Sequence, residues 1–308
     1  MTDHLEIHEA SFEERKQIYA NVFDFWQWAD TVEEHVEMRM ESVQHQRARW
    51  YAGYLDGELV SSLGAYPIDF SFNGECVPGI SIGSVHTLEA YRGRGLVPQL
   101  MRRVEELEVD NGARLSMLYS DISPGYYARL GYQRCPSWYV WLDVENLADA
   151  ETEFELEEFM VADQLDEVKQ RYEYYLNTDF AIARSDDYWQ YVLNKSEDDI
   201  YCWVSFRGSR LGYVVAGAAD GDLIVRDYAV SGGSGVVTDC LPELAKIAAQ
   251  SELKCVGGWL AAPATLPSTF RMEARSAEIT MIKHLQDAEL ITEQHRVACA
   301  EMREIDHV

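Results

Sequence analysis

The stretch from residue 50 to residue 87 constrains the fold of this chain most strongly. It contains three strand-like runs, which are divided at Asp56-Gly57 and at Asn73-Gly74. These dipeptides suit tight hairpin turns, because both of their residues can adopt positive φ. The sequence therefore predicts a three-stranded antiparallel meander.

A basic, glycine-rich turn follows the meander and opens a helix. The turn contains Arg92, Gly93, Arg94 and Gly95, and Pro98 falls in the first helical turn, where its missing N–H removes no hydrogen bond. Several backbone N–H groups meet at such a turn, on the positive end of the helix dipole, so that an anion such as a pyrophosphate can bind there. An ordinary loop with two surface arginines is the alternative interpretation.

The helix after this turn is amphipathic. Its apolar stripe consists of Leu96, Leu100, Val104 and Leu107. Its outward-facing charged residues are predicted to be Arg102, Arg103, Glu105 and Glu106. Before the meander, a capping-box pattern at Ser11 and Glu14 predicts a first helix, and a second helix is predicted from Val32 to Val43.

The second half of the chain repeats the plan of the first. Residues 201–230 contain three strand-like runs with turns at Gly208 and Gly221, and the glycine-rich residues 231–235 lead into another helix. A meander, a glycine turn and a helix therefore occur twice, which indicates two related halves. The acidic segment from Asp143 to Glu158 is the expected junction.

The charge balance limits the possible partners. The 308 residues include 26 Lys and Arg against 53 Asp and Glu, which gives a net charge of −27. Such a field repels phosphate backbones, so nucleic acid is excluded as a partner, whereas a cationic amine is attracted. An acidic surface that serves only solubility is the alternative explanation.

Cysteine spacing and hydropathy indicate a cytoplasmic protein. The six cysteines lie far apart, with no Cys/His cluster at zinc-ligand spacing, so we expect reduced thiols and no metal. The N-terminus has no signal-peptide pattern, and no apolar run is long enough to cross a membrane. We therefore expect no membrane association.

The order of these motifs resembles the GNAT acyltransferases, whose pyrophosphate loop reads Q/R-x-x-G-x-G/A. Arg92 and Gly95 match the first and fourth positions, and Tyr127 lies four residues before Gly131 in YARLGY. Val97 stands where most of the family has Gly or Ala. A substituted last position in a run of the form YRxRGL is similar to the Eis-like branch, which has two fused GNAT-type halves and a further C-terminal domain.

A second segment extends this resemblance into the other half. Residues 183–193, ARSDDYWQYVL, resemble the segment that opens the second half of the Eis-like branch. The resemblance implies an α+β fold of two tandem GNAT-like domains, each a mixed, mostly antiparallel sheet flanked by helices. Residues 1–145 would form the catalytic domain, 146–290 a degenerate domain without the loop arginine, and 291–308 a C-terminal helical tail.

The resemblance also implies an acyl-CoA site in the first half, with acetyl-CoA as co-substrate. Main-chain groups of Val85, His86 and Thr87 would hold the pantetheine and the thioester. The turn residues Arg92, Gly93, Arg94, Gly95, Leu96 and Val97 would hold the pyrophosphate. Ile122 and Ser123 match positions that flank the cofactor in the Eis-like branch.

Two catalytic roles follow from the same resemblance. Tyr127 would donate a proton to the leaving CoA thiolate, and a phenol suits this task because its pKa is roughly matched to that of a thiol. Tyr126 is a rival, and packing is the alternative role for both rings. The carboxylate of Val308 would accept the proton of the amine, for which His86 and Glu89 are alternatives.

The acceptor is expected beside an aromatic and acidic segment before the meander. Its side chains are Phe23, Phe25, Trp26, Trp28, Asp30, Glu33, Glu34 and Glu37, of which Trp26, Glu33 and Glu37 are our candidate substrate-binding residues. Rings beside carboxylates suit a cationic ligand. A helix with one apolar face and one solvated acidic face is the alternative interpretation.

These features together predict an N-acetyltransferase that transfers an acetyl group directly to a primary amine, on a small cationic molecule or on a peptide lysine. A non-catalytic, acyl-CoA-binding GNAT-like regulatory or interaction protein is the competing prediction, because Val97 departs from the loop pattern. The branch that the chain resembles forms oligomers, which implies a homo-oligomer here.

Overall fold

The computed structural model describes residues 4–146, 152–263, 266–286 and 291–308. The chain begins with β1 (Glu6–Glu9), α1 (Phe12–Asn21), α2 (Val32–Glu41), α3 (Val43–Arg47), β2 (Arg49–Leu55), β3 (Glu58–Phe72) and β4 (Glu75–Thr87). It continues with α4 (Leu96–Asp110), β5 (Leu115–Ser120), α5 (Pro124–Ala128), β6 (Gln133–Arg134), β7 (Trp138–Asp143) and β8 (Phe154–Phe159).

The second half has a similar order of elements. It contains α6 (Val161–Tyr174), β9 (Phe180–Ala183), α7 (Asp186–Lys195), β10 (Ile200–Phe206), β11 (Ser209–Ala219), β12 (Asp222–Val230), α8 (Gly233–Gln250) and β13 (Cys255–Trp259). The described part of the chain ends with β14 (Phe270–Ala274), β15 (Ile279–His284) and α9 (Glu293–Ala298).

The predicted meander is confirmed. β2, β3 and β4 pair antiparallel, and the two hairpin dipeptides adopt left-handed backbone conformations, with φ of 52° and 82° at Asp56-Gly57 and 54° and 78° at Asn73-Gly74. The capping box of α1 is also present, since Ser11 and Glu14 bond reciprocally. The turn chemistry of the sequence therefore sets the register of the sheet that carries the candidate site.

The described strands form two mostly antiparallel sheets flanked by helices, which confirms the predicted α+β fold class. The first sheet runs β1-β2-β3-β4-β5-β15-β6, with β9 added along β3, and the second runs β14-β7-β13-β12-β11-β10-β8. Each sheet contains one parallel pair, β4 with β5 and β12 with β13. In each case the helix that connects the pair, α4 or α8, follows the glycine-rich turn, so the repeat seen in the sequence is present in the structure.

The two halves exchange their last strands. β15, from the second half, lies between β5 and β6 in the first sheet, while β7, from the first half, lies between β13 and β14 in the second. The boundary predicted at residues 145 and 146 therefore does not separate the two sheets. Side chains from both sheets also share one core cluster, which includes Phe70, Trp189, Trp203, Trp259 and Ile305.

One prediction for α4 is wrong. Glu105, expected to face solvent, is only 7% exposed. Its carboxylate lies 2.6 Å from the ammonium of Lys283 on β15, a strand that no pattern near α4 indicates. The exchanged strand covers this face of the helix, and the ion pair compensates the burial of the carboxylate.

The C-terminal segment is less helical than predicted. After α9 it forms two short 3₁₀ turns, at Cys299–Glu301 and Glu304–Asp306, and runs back across the molecule. Within the described residues, no helix has the length and hydropathy needed to cross a membrane.

Candidate active site

The parallel strands β4 and β5 part at one end. Their pairing runs from Gly79 opposite Leu115 to Ile82 opposite Leu118, although β4 continues to Thr87. Ser84 adopts a positive φ of 50°, and the pairing of β4 with β3 shifts register at this point. Beyond Ile82, no other described strand pairs with the β5-facing edge of β4, so a cleft opens between the two strands.

The predicted pantetheine residues lie on the parted part of β4. His86 and Thr87 pair with Ser62 and Ser61 of β3, and both are buried, whereas Val85 is half-buried. Burial and the neighbouring Arg92 lower the pKa of His86, whose Nε2 has no hydrogen-bond partner in the part of the chain that the structure describes. A neutral, buried imidazole is poorly placed to hold a proton taken from an amine.

The basic turn lies at the open end of the cleft. Gly95 forms the N-cap of α4 in the left-handed region, with φ of 76°, and Gly93 has φ of 73°. A Cβ at either position would contact nothing within 4 Å, so the backbone angles, and not crowding, require glycine. No side chain caps the helix, whose first N–H groups therefore remain available to an anion in the open space above the turn.

The side chain of Arg92, the first arginine of the turn, is held by a hydrogen bond to the backbone of β4. The Nε of Arg92 donates to the carbonyl oxygen of Thr87 at 3.0 Å, and its guanidinium lies 5.1 Å from the ring of Phe25. Residues 92–95 are exposed, while Leu96 is buried in the core and Val97 is half-buried against it. Val97 therefore serves packing beneath the turn, which explains why a larger residue is accommodated here.

Tyr127 lies on α5, close to the end of β5. It is 8% exposed, and its ring packs edge-on against Tyr126 and Tyr132, with centroids 5.3 Å and 6.1 Å away. Burial raises the pKa of Tyr127 above its usual range and raises that of the half-buried Tyr126 as well. The two cofactor-flanking candidates before α5, Ile122 and Ser123, are both exposed.

A cavity of about 320 Å³ lies against the parted strand. Gly83 and Ser84 of β4 line it, as does Val308, the last residue of the sequence. A Cβ at Gly83 would lie 3.3 Å from the carbonyl oxygen of Val308, so the glycine allows the C-terminal residue to approach the strand closely. The structure thus places Val308 beside β4 of the first half.

The substrate-binding candidates separate into two groups. Trp26 lines the cavity, whereas Glu33 and Glu37 are exposed on the outer face of α2 and do not line it. The inner face of the same helix carries His35 and Arg39, four residues apart, and both are buried. Of the residues on α2, Arg39 lines the cavity, so this helix turns a basic side chain and no acidic one toward it.

The second half holds the C-terminal segment by means that sequence patterns did not reveal. The guanidinium of Arg184 contacts Asp306 at 3.1 Å and Asp227 at 2.7 Å, with all three side chains buried. The hydroxyl of Tyr191 donates to the carbonyl oxygen of His307 at 3.0 Å, and the Nζ of Lys195 does so at 2.7 Å. The segment that resembled the opening of the second half thus positions the chain end.

The glycine turn of the second half has a different environment. The N-terminus of α8 receives a carboxylate from the chain itself, because Glu301 accepts hydrogen bonds from the Ser234 backbone N–H at 3.0 Å and from its hydroxyl at 2.7 Å. The hydroxyl of Tyr228 donates to the same carboxylate at 2.8 Å. The position that corresponds to the anion site of α4 is therefore filled.

The geometry agrees with the comparison of the sequence with protein families. Residues 6–135 match the family model of the acetyltransferase (GNAT) domain. This part of the chain is a GNAT domain. It contains the parted strands, the basic turn and Tyr127. No curated protein matches the sequence.

Solved structures share the two-sheet architecture. A probable N-acyltransferase from Enterococcus faecalis is 17% identical, with a TM-score of 0.70 over 92% of this chain and 73% of that one. Eis1 from Mycobacterium abscessus is 15% identical, with a TM-score of 0.60 over 92% of this chain and 74% of that one. A tandem GNAT protein from the clavulanic acid biosynthesis pathway is 13% identical, with a TM-score of 0.54 over 92% and 99%. At these identities the likeness shows the fold alone, and it confirms the resemblance to Eis-like and tandem GNAT architectures.

Proposed function

We propose that this GNAT protein is an acetyl-CoA-dependent N-acetyltransferase that moves an acetyl group directly to the primary amine of a small molecule or a lysine side chain. The parting of β4 and β5 above the uncapped N-terminus of α4 is the observation that carries the proposal. It provides an open strand edge for an extended amide chain and, at the same end, an anion site for phosphates.

The residues present fit an acyl-CoA. Arg92, Gly93, Arg94, Gly95 and the first turn of α4 at Leu96 and Val97 would bind the pyrophosphate, and the backbone of residues 85–87 would bind the pantetheine. Ile122 and Ser123, exposed beyond the end of β5, would border the same molecule. The bound acetyl-CoA supplies a thioester as acyl donor.

The protein would handle two protons during transfer. The amine nitrogen forms a bond to the thioester carbon while the carbon–sulfur bond breaks. The carboxylate of Val308 would accept a proton from the nitrogen, and Tyr127 would donate one to the leaving sulfur. Because burial raises the pKa of Tyr127, the phenol stays protonated at neutral pH, although it is a weaker acid than the matched phenol assumed from the sequence.

Thiol release from acetyl-CoA over a panel of amines tests this function. We expect Tyr127→Phe to lower turnover about 100-fold or more, while Tyr126→Phe retains most of it, since general acid catalysis contributes roughly 10²–10⁴-fold. Acyl-CoA binding without release for any amine would favour the competing role of a non-catalytic acyl-CoA-binding protein. Equal losses in the two variants would remove Tyr127 from the mechanism.

The role of Val308 has its own test. Removal of His307 and Val308 should reduce turnover, while acyl-CoA binding persists. Mass spectrometry of the intact parent protein must first show that its chain ends at Val308. Unchanged turnover would exclude the carboxylate as base and direct attention to Glu89, which is exposed beside the turn.

We also infer the division of labour and the location. The first half would carry catalysis, and the second would shape the cleft without binding a second acyl-CoA, in line with the filled N-terminus of α8. We place the reaction in the cytoplasm, because all six cysteines are free thiols. No group of three or more potential metal ligands occurs among the described residues. The proposed transfer uses no metal ion.

A further inference from the structure

Arg39 is a buried cation on the wall of the candidate acceptor cavity. It is 3% exposed, and its guanidinium lies 4.8 Å from the ring of Trp28. One terminal nitrogen lies 2.9 Å from the Nε2 of His45, the other donates to the carbonyl oxygen of Trp26 at 3.1 Å, and the Nε has no partner. No carboxylate among the described residues forms an ion pair with it.

The surroundings of Arg39 do not neutralise its charge. Burial is the main cause that lowers the pKa of His45, to about 3, and the charge of Arg39 is the second cause. The same two causes lower the pKa of His35, so both imidazoles are neutral. Arg184, which is also buried, contacts two carboxylates. A buried arginine without a counter-ion is unfavourable for stability. Arg275 is similarly buried without a carboxylate, but it does not line the cavity.

The cavity offers further features for a ligand of mixed character. The rings of Trp26, Trp28 and Tyr66 form apolar parts of the wall, and the hydroxyl of Tyr119 has no hydrogen-bond partner among the residues described. Asp121, Glu304 and Lys195 place charges of both signs on the same cavity, and Val308 also lines it. The volume of about 320 Å³ is at the lower end of the range for small-molecule sites, roughly 300–1,000 Å³.

We propose that the acceptor carries a carboxylate as well as its amine, that Arg39 binds this carboxylate, and that the amine faces Val308. The acceptor is then a small amino acid or a similar zwitterion, and not the cationic amine that the sequence suggested. Such a ligand has no net charge, so the −27 of the protein does not repel it, while the local field of Arg39 orients it. This inference rests on the proposed acetyl transfer.

The test compares acceptors that differ only in the anionic group. Thiol release is measured with 6-aminohexanoate and 6-aminohexanamide, and with 4-aminobutyrate and 4-aminobutanamide. We expect the wild-type kcat/KM to be at least tenfold higher for the carboxylate of each pair, about 1.4 kcal/mol of discrimination. Arg39→Gln should remove most of this ratio through KM, Arg39→Lys should retain part of it, and the exposed Arg114→Gln should leave it unchanged.

The possible outcomes separate the two proposals. Acids and amides acetylated equally well by the wild type, or an unchanged ratio in Arg39→Gln, would overturn the inference and leave the acetyltransferase function standing. If no amine is acetylated, the proposed function fails, and thermal shifts decide the role of Arg39. The aminoalkanoates should then raise the Tm of the wild type but not that of Arg39→Gln, and equal shifts would overturn the inference. If Arg39→Gln does not fold, the wild-type ratio and Arg39→Lys decide.

Discussion

Arg184 and Asp306 form a buried ion pair of 3.1 Å although 122 residues separate them in the chain. Asp306 lies two residues before Val308, and Arg184 directly precedes the N-cap of α7. The hydroxyl of Tyr188, on the same helix, donates to Asp306 at 3.1 Å. The second half of the protein therefore fixes the place at which the C-terminal residue meets β4 of the first half.

Asp306→Asn should destabilise the protein by about 3–5 kcal/mol, because it removes one carboxylate from a buried charge cluster. Urea unfolding measures this loss. Asp198→Asn, the same chemical change at an exposed position, should stay within about 0.5 kcal/mol of the wild type. A similar small effect of Asp306→Asn would show that the cluster does not hold the C-terminal segment.

Glu301→Gln should destabilise the protein by about 1–3 kcal/mol, since the charged cap of α8 and the hydrogen bond from Tyr228 are both weakened. Glu197→Gln, at an exposed site, is the matched control.

In calorimetry, the wild type should bind one acyl-CoA per chain. Two equivalents in the wild type would contradict the view that Glu301 closes the second anion site.

Gly95→Ala should weaken acyl-CoA binding and cost about 1–2 kcal/mol of stability, because a left-handed backbone is strained for any residue with a Cβ. Gly208→Ala has the same kind of backbone, with φ of 75°, at the hairpin turn between β10 and β11 of the second sheet. It should lose similar stability without loss of acyl-CoA affinity. Parallel calorimetry and thermal unfolding of the two variants separate the roles, and equal affinity losses would argue against the turn as the phosphate site.

His45 should make the protein sensitive to acid. Its pKa is about 3 in the folded state and 6.5 in the unfolded chain, so the unfolded state binds the extra proton between these values. Stability is therefore fully present above pH 6.5 and falls by about 1.4 kcal/mol per pH unit as pH decreases toward 3. Urea unfolding at several pH values should show a shallower slope for His45→Gln, and identical slopes would exclude this residue as the cause.

Local chemistry made the first half predictable. The hairpins at residues 56–57 and 73–74, the capping box of Ser11 and the start of α4 after the glycine-rich turn depend on a few neighbouring residues, and each is present as predicted. The placement of Tyr127 beside the end of β5 follows from the same short-range order. The catalytic and cofactor-binding roles given to these residues stay predictions.

Long-range packing accounts for the features of the structure that the sequence did not predict. Nothing near Glu105 indicates that Lys283 will cover it, and nothing near Ser234 indicates Glu301. The same limit applies to Arg39, which lies two positions from the exposed Glu37 and Glu41 while its own side chain faces inward. A pattern of charges along one helix indicates its solvent face only if no distant segment packs there.

The sequence by itself determined the meander, the basic turn and the repeated plan, because turn dihedrals and helix starts depend on adjacent residues. Only the tertiary structure decided the exchange of β7 and β15, the filling of the second anion site by Glu301 and the approach of Val308 to Gly83. These contacts join residues that lie far apart in the chain, with 67 positions between Ser234 and Glu301. They depend on tertiary packing, which brings distant segments together and is not encoded by any local pattern.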